Sequence, residues 1–138
     1  MRFAGLVTVL GLLGSALPLL AHHSFAAEYD AKQTITIKGV VQKVEWVNPH
    51  AYVWVDVKDE NGKVTTYAFE SLSPNALARR GWTRNSLKPG DLVTVDSYLA
   101  KDGKLLSDGS VHANSKLITL ADGKKVFAGS SADGADYK

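Results

Sequence analysis

The residues best suited to metal chemistry in this chain are histidines. His22 and His23 are adjacent, His50 follows an Asn48-Pro49 turn, and His112 is the fourth. Imidazole suits copper, zinc, iron and nickel, while soft thiolate and thioether ligands select Cu(I), zinc and iron–sulfur clusters. The chain has no cysteine, and its one methionine is Met1. A disulfide framework, a thiolate metal site, a c-type haem attachment and a thiol nucleophile are therefore excluded. What remains for a metal is imidazole, carboxylate and, if the chain is cut before His22, a terminal amine.

Such a cut is expected. Met1-Arg2 is a short basic start, and the apolar run Leu6 to Leu13 is followed by Gly14, Ser15 and Pro18. A membrane span needs roughly twenty strongly apolar residues, so residues 1–21 read as a cleaved signal peptide. Ala21 is a small residue at the cleaved position, and Ser24-Phe25-Ala26 offers a competing small-x-small site. Distance from the apolar run favours Ala21. The expected product is periplasmic or secreted, with no transmembrane span in its mature form. Formal charge is +2, and cleavage removes Arg2 and no acid, leaving +1. That balance argues against a nucleic-acid partner held by bulk charge.

A chain beginning at His22 offers one ion both an α-amine and an imidazole. The amine has a pKa near 8, so a metal can displace its proton at neutral pH. A further imidazole makes a three-nitrogen set, which suits Cu(II) and is similar to the histidine brace of copper proteins. His50 is the candidate third ligand. The metal-site hypothesis is thus His22, His23 and His50, with copper as the cofactor. The competing account makes His22 and His23 a solvated pair and His50 a turn residue bonded to the loop backbone. His112, within LLSDGSVHANS, reads as a solvated loop residue.

A second constellation is aromatic. Trp46, Tyr52 and Trp54 surround the Asn48-Pro49-His50 turn, and Tyr67 lies on the following strand. Aromatics on the outer face of small barrels stack bases or sugars. Export favours sugar or peptide, and Trp46, Tyr52, Trp54 and Tyr67 are the candidate ligand-binding residues. Packing over the barrel ends is the competing role. Arg79, Arg80 and Arg84 are accounted for by helix C-terminal electrostatics. Glu45, Asp56 and Glu70 lie on different strands with no spacing that pairs them, and no hydrolase, phosphate-loop, zincin or EF-hand pattern is present.

The elements that must position these residues are mainly β. Thr34 to Val47 is a long strand pattern whose buried face switches near Gly39-Val40, which predicts a bulge. Tyr52–Val57 and Val64–Glu70 form a hairpin around Asn61-Gly62. Ser73 caps a short helix with Pro74 at its first position, and Gly81 follows its end. Leu92–Leu99, Lys116–Leu120 and Lys124–Phe127 are further strands. A helix between strands 3 and 4, with the Gly39 switch, predicts a small five-stranded OB-like Greek-key barrel, an SH3-like barrel or a β-sandwich being the alternative. The expected organisation is signal peptide 1–21, N-terminal segment 22–33, barrel 34–128 and flexible tail 129–138.

The stretches HHSFAAEYD (22–30), VEWVNPHAYVWVDV (44–57), FESLSPNALARRGWTRNSLKPGD (69–91) and LADGKKVFAG (120–129) resemble a family of small exported bacterial proteins, a domain of unknown function. The resemblance covers nearly all of the mature chain, and residues 105–115 match its pattern least. It implies export and a single β-rich domain. It carries no established catalytic residue, although its pattern includes the His-His pair and the Asn-Pro-His turn.

Three functions follow as expectations. The first is a non-enzymatic exported binding module for an unidentified ligand or protein partner. The second is a periplasmic copper(II)-binding protein. The third is a structural or interaction domain of the cell envelope.

Overall fold

Thr34-Ile35-Thr36-Ile37-Lys38 alternates β-branched and polar residues, and this forms the middle of β1 (Tyr29–Glu45). The computed structural model describes residues 24–131. A five-residue helix, α1 (Ser24–Glu28), precedes β1. The chain continues through β2 (Tyr52–Lys58), β3 (Val64–Glu70), α2 (Pro74–Arg79), β4 (Leu92–Ala100), β5 (Val111–Leu120) and the short β6 (Lys125–Val126). The expected signal peptide lies outside the described residues. No described helix is long and apolar enough to cross a membrane.

The strand order is β3-β2-β1-β4-β5-β6, and a further parallel pairing joins β3 to β5. That pairing closes a five-stranded barrel, with α2 as the only helix between β3 and β4. The architecture is the OB-like barrel that the element order predicts. β1 is long because it serves both halves: its first part pairs with β4 and its last part with β2.

The face switch in β1 falls later than expected. Ile37 and Val41 both face the core, so the period of two runs straight through Gly39. The register shift lies between Val41 and Lys43, and Val44 then returns to the interior. Gly39 has a different role. A Cβ there would lie 2.3 Å from the Asp56 carbonyl oxygen and 2.7 Å from Val55 Cγ1. Only glycine lets β1 approach β2 this closely.

Val53, Val55, Phe69, Val95, Ile118 and Phe127 fill the barrel and are fully buried. Their burial is the main driving force for folding in a domain without disulfides. The α2 cap forms as its sequence predicts: Ser73 Oγ accepts the Ala76 N–H at 3.2 Å and Pro74 opens the helix. Leu72, Leu77 and Leu87 extend the core beneath it, and Trp82 packs against the same cluster. The tail departs from expectation near its start. The Gly129 N–H donates to Lys116, and Ser131 N–H donates to Asn114 Oδ1 at 3.3 Å, so residues 129–131 lie along β5.

Candidate functional site

Alternation along β2 and β3 divides their side chains between two environments. Val53, Val55 and Phe69 point into the barrel. Tyr52, Trp54 and Glu70 therefore take the outer face, and Tyr52 stands opposite Glu70 in the ladder. On β5, Ala113 packs inside and His112 stands outside, opposite Ala68. The small Ala68 leaves room for an imidazole. Tyr29, at the start of β1, lies over this face, and Phe25 of α1 packs on Tyr29 at 5.3 Å and on Tyr98 at 5.5 Å.

Glu70 is the hub beneath this cover, and only 6% of its surface is exposed. Its Oε1 lies 2.6 Å from His50 Nδ1. Its Oε2 accepts the Tyr29 hydroxyl at 2.6 Å and the Tyr52 hydroxyl at 3.2 Å. His112 Nε2 is 2.6 Å from the Tyr29 oxygen and 3.7 Å from Oε2. Burial alone opposes the charge on Glu70. The groups contributed by His112, His50 and Tyr29 outweigh it and hold the carboxyl well below the usual carboxylate range. Burial and then the Glu70 charge push both tyrosine hydroxyls well above the usual phenol range.

Proton placement follows from the donor and acceptor inventory. An ionised carboxylate only accepts, so His50 Nδ1 must carry a hydrogen and donate it. In neutral His50 the lone pair is then on Nε2, on a side chain that is 28% exposed. Tyr29 has one hydrogen and gives it to Glu70, so His112 Nε2–H donates to the Tyr29 oxygen. The arrangement matches the way carboxylates orient metal-binding histidines from behind. Among the described residues no three His, Asp or Glu side chains are placed to share a metal ion.

The residues singled out from sequence are distributed unevenly. His50 joins the Glu70 hub, whereas His22 and His23 lie outside the described residues. Tyr52 and Trp54 come together, with ring centroids 5.6 Å apart. Trp46 packs instead against Phe127 at 5.9 Å, and Tyr67 stacks on Phe69 at 5.9 Å. Tyr67 stands opposite Val55 and so shares its inward parity. Trp54 is buried, with its indole N–H donated to Asp108 at 2.9 Å and Lys43 Nζ 3.9 Å above its ring.

Three cluster members escaped sequence reasoning. Glu70 shows no spacing to a partner, because its partners come from β1, β2, β5 and the loop between β1 and β2. His112 is buried at 7% exposure, not solvated, because β5 begins at Val111 and draws it onto the covered face. Tyr29 is part of β1, which begins five residues before the Thr34 that alternation indicates. The one usable signal was a charged residue, Glu70, directly after the apolar Ala68-Phe69.

An OB-like barrel whose outer face carries a covered carboxylate, imidazole and phenol cluster is the class that fold and site define together. The chain belongs to a family of unknown function, DUF6152, which it matches over residues 10–109. No curated protein and no solved structure matches it.

Proposed function

We propose that the chain is an exported, non-enzymatic binding module and that copper(II) is the species it binds. In this reading signal cleavage after Ala21 exposes His22, and the His22 amine and imidazole join His23 and His50 as nitrogen donors. The observation that carries the reading is the 2.6 Å contact between His50 Nδ1 and Glu70. It fixes the ring and leaves Nε2 as the nitrogen with a free lone pair, the state a metal ligand needs. With neither cysteine nor a mature methionine, the available donors are nitrogen and oxygen, which favours Cu(II) over Cu(I).

The test uses secreted protein with its native N-terminus, defined by intact mass and titrated with Cu(II) under electron paramagnetic resonance. One ion per chain with nitrogen hyperfine structure is expected. His50→Ala should weaken binding at least about ten-fold, and Glu70→Gln by about ten-fold through loss of the carboxylate charge behind the ring. A mature chain that starts at Ala27, or an unchanged affinity in His50→Ala, would remove this reading.

A further inference from the structure

The β3–β5 ladder that closes the barrel is short. It joins Tyr67–Glu70 to Val111–Asn114, and β3 begins three residues earlier. Among the described residues Val64, Thr65 and Thr66 pair only with β2, opposite Lys58, Val57 and Asp56. On their other side β5 has not begun. The chain there folds back on itself: the Leu106 N–H donates to Ser110, the Gly109 N–H donates to Leu106, and Leu105 bridges Val111. The turn stands beside the β3 edge without pairing to it.

Between edge and turn lies a cleft of about 450 Å³ whose walls include Trp54, Val64, Thr66, Leu105 and Asp108. Val64 is 53% exposed and Leu105 59%, so an apolar side chain stands free on each wall. Asp108 supplies charge. Its carboxylate accepts the Ser110 hydroxyl and N–H and the Trp54 indole N–H. These bonds hold its carboxyl below the usual range. Lys43, above the Trp54 ring, adds a weaker coulombic pull, and among the described residues no cation forms an ion pair with Asp108.

We infer that this cleft receives an extended segment of a partner protein, added as a strand to the free edge of β3, apolar at alternate positions and bearing a basic residue that meets Asp108. An unpaired edge offers backbone donors and acceptors to such a segment, and pockets beside it read alternate side chains. Three edge residues span about 10 Å, enough for three residues of an added strand. The turn forms the far wall of the groove, opposite the β3 edge. The Asp108 charge selects a basic segment. The inference is independent of copper, since His50, the one proposed ligand among the described residues, does not line the cleft.

The probe is the capped heptapeptide Thr-Val-Thr-Arg-Val-Thr-Val, titrated to about 1 mM into isotope-labelled full chain and followed by amide shifts. Shifts confined to residues 64–66 and 105–111 are expected. A peptide with alternate backbone amides methylated should not bind, and one with glutamate for arginine should bind more weakly. Asp108→Asn, which keeps an oxygen for the Ser110 hydroxyl and N–H while losing the one that accepts the Trp54 N–H, should weaken binding about two- to five-fold. Leu105→Asn, an uncharged polar change at an exposed position, provides a second variant and should weaken it as well. Equal binding of the methylated peptide, shifts elsewhere, or no shift at all would overturn the inference. So would concentration-dependent shifts at the same residues without peptide, which would mark a contact between copies of this chain.

Discussion

Phe69 and Glu70 are neighbours on β3, and both are buried, yet they stabilise the chain by opposite means. Phe69 faces the barrel interior among Val53, Val55 and Ile118, where contact area matters and direction matters little. Glu70 faces outward into His50, Tyr29, Tyr52 and His112, where each bond has a required donor and angle. A core tolerates apolar exchange as long as volume is kept. A covered polar cluster does not, because one missing partner leaves several groups unsatisfied at once. The barrel therefore has a forgiving interior and an exacting outer face.

Removing one of the two buried interior phenylalanines should have the largest effect. Phe69→Ala should cost about 3–5 kcal/mol in denaturant unfolding, with loss of much of the thermal transition. A cost near that of an exposed substitution would break the comparison from the apolar side. Gly39→Ala should cost about 1–3 kcal/mol, because its Cβ meets backbone at Asp56. On the polar face, Glu70→Gln should cost about 1–3 kcal/mol, and Tyr29→Phe somewhat less, measured in the same way. A neutral Glu70→Gln would show that the cluster adds no stability.

Acidity separates the two regions more sharply. The folded-state pKa of Glu70 is depressed, so its contribution is present above the unfolded carboxylate value, near pH 4.3, and is lost as pH falls through the folded value. Wild-type stability should decline below about pH 5, and Glu70→Gln should decline less over the same range. The tyrosine shifts act at the other end. Raised folded values give stability that is full below about pH 10 and lost above it, and Tyr29→Phe should be less sensitive there. The smallest expected effect is at the α2 cap, where Ser73→Ala should cost about 1 kcal/mol in thermal unfolding without altering either pH limb.

The legible parts of this molecule are those specified by short-range rules. The hairpin at Asn61-Gly62, the Ser73-Pro74 start of α2 and the position of that helix between β3 and β4 come from local propensity and alternation. They were enough to indicate a five-stranded OB-like barrel. The β1 face switch was misplaced because Gly39 carries two meanings, bulge or close approach, and only the position of Asp56 separates them. The aromatic grouping was partly misread for the same reason. Tyr67 and Tyr52 look alike along the chain, and pairing register sends one inward and the other out.

By itself the sequence excluded thiolate chemistry, through the absence of cysteine, and determined the class of fold, through periodicity and punctuation. Tertiary structure decided which charged residue matters. Glu70 is one of fourteen acidic residues, and it is the one that closure of β3 onto β5 sets between two histidines and two tyrosines. Hydrogen bonding is directional and short in range, so a cluster assembled from four strands leaves no spacing along the chain. Apolar burial is set by local alternation, which does.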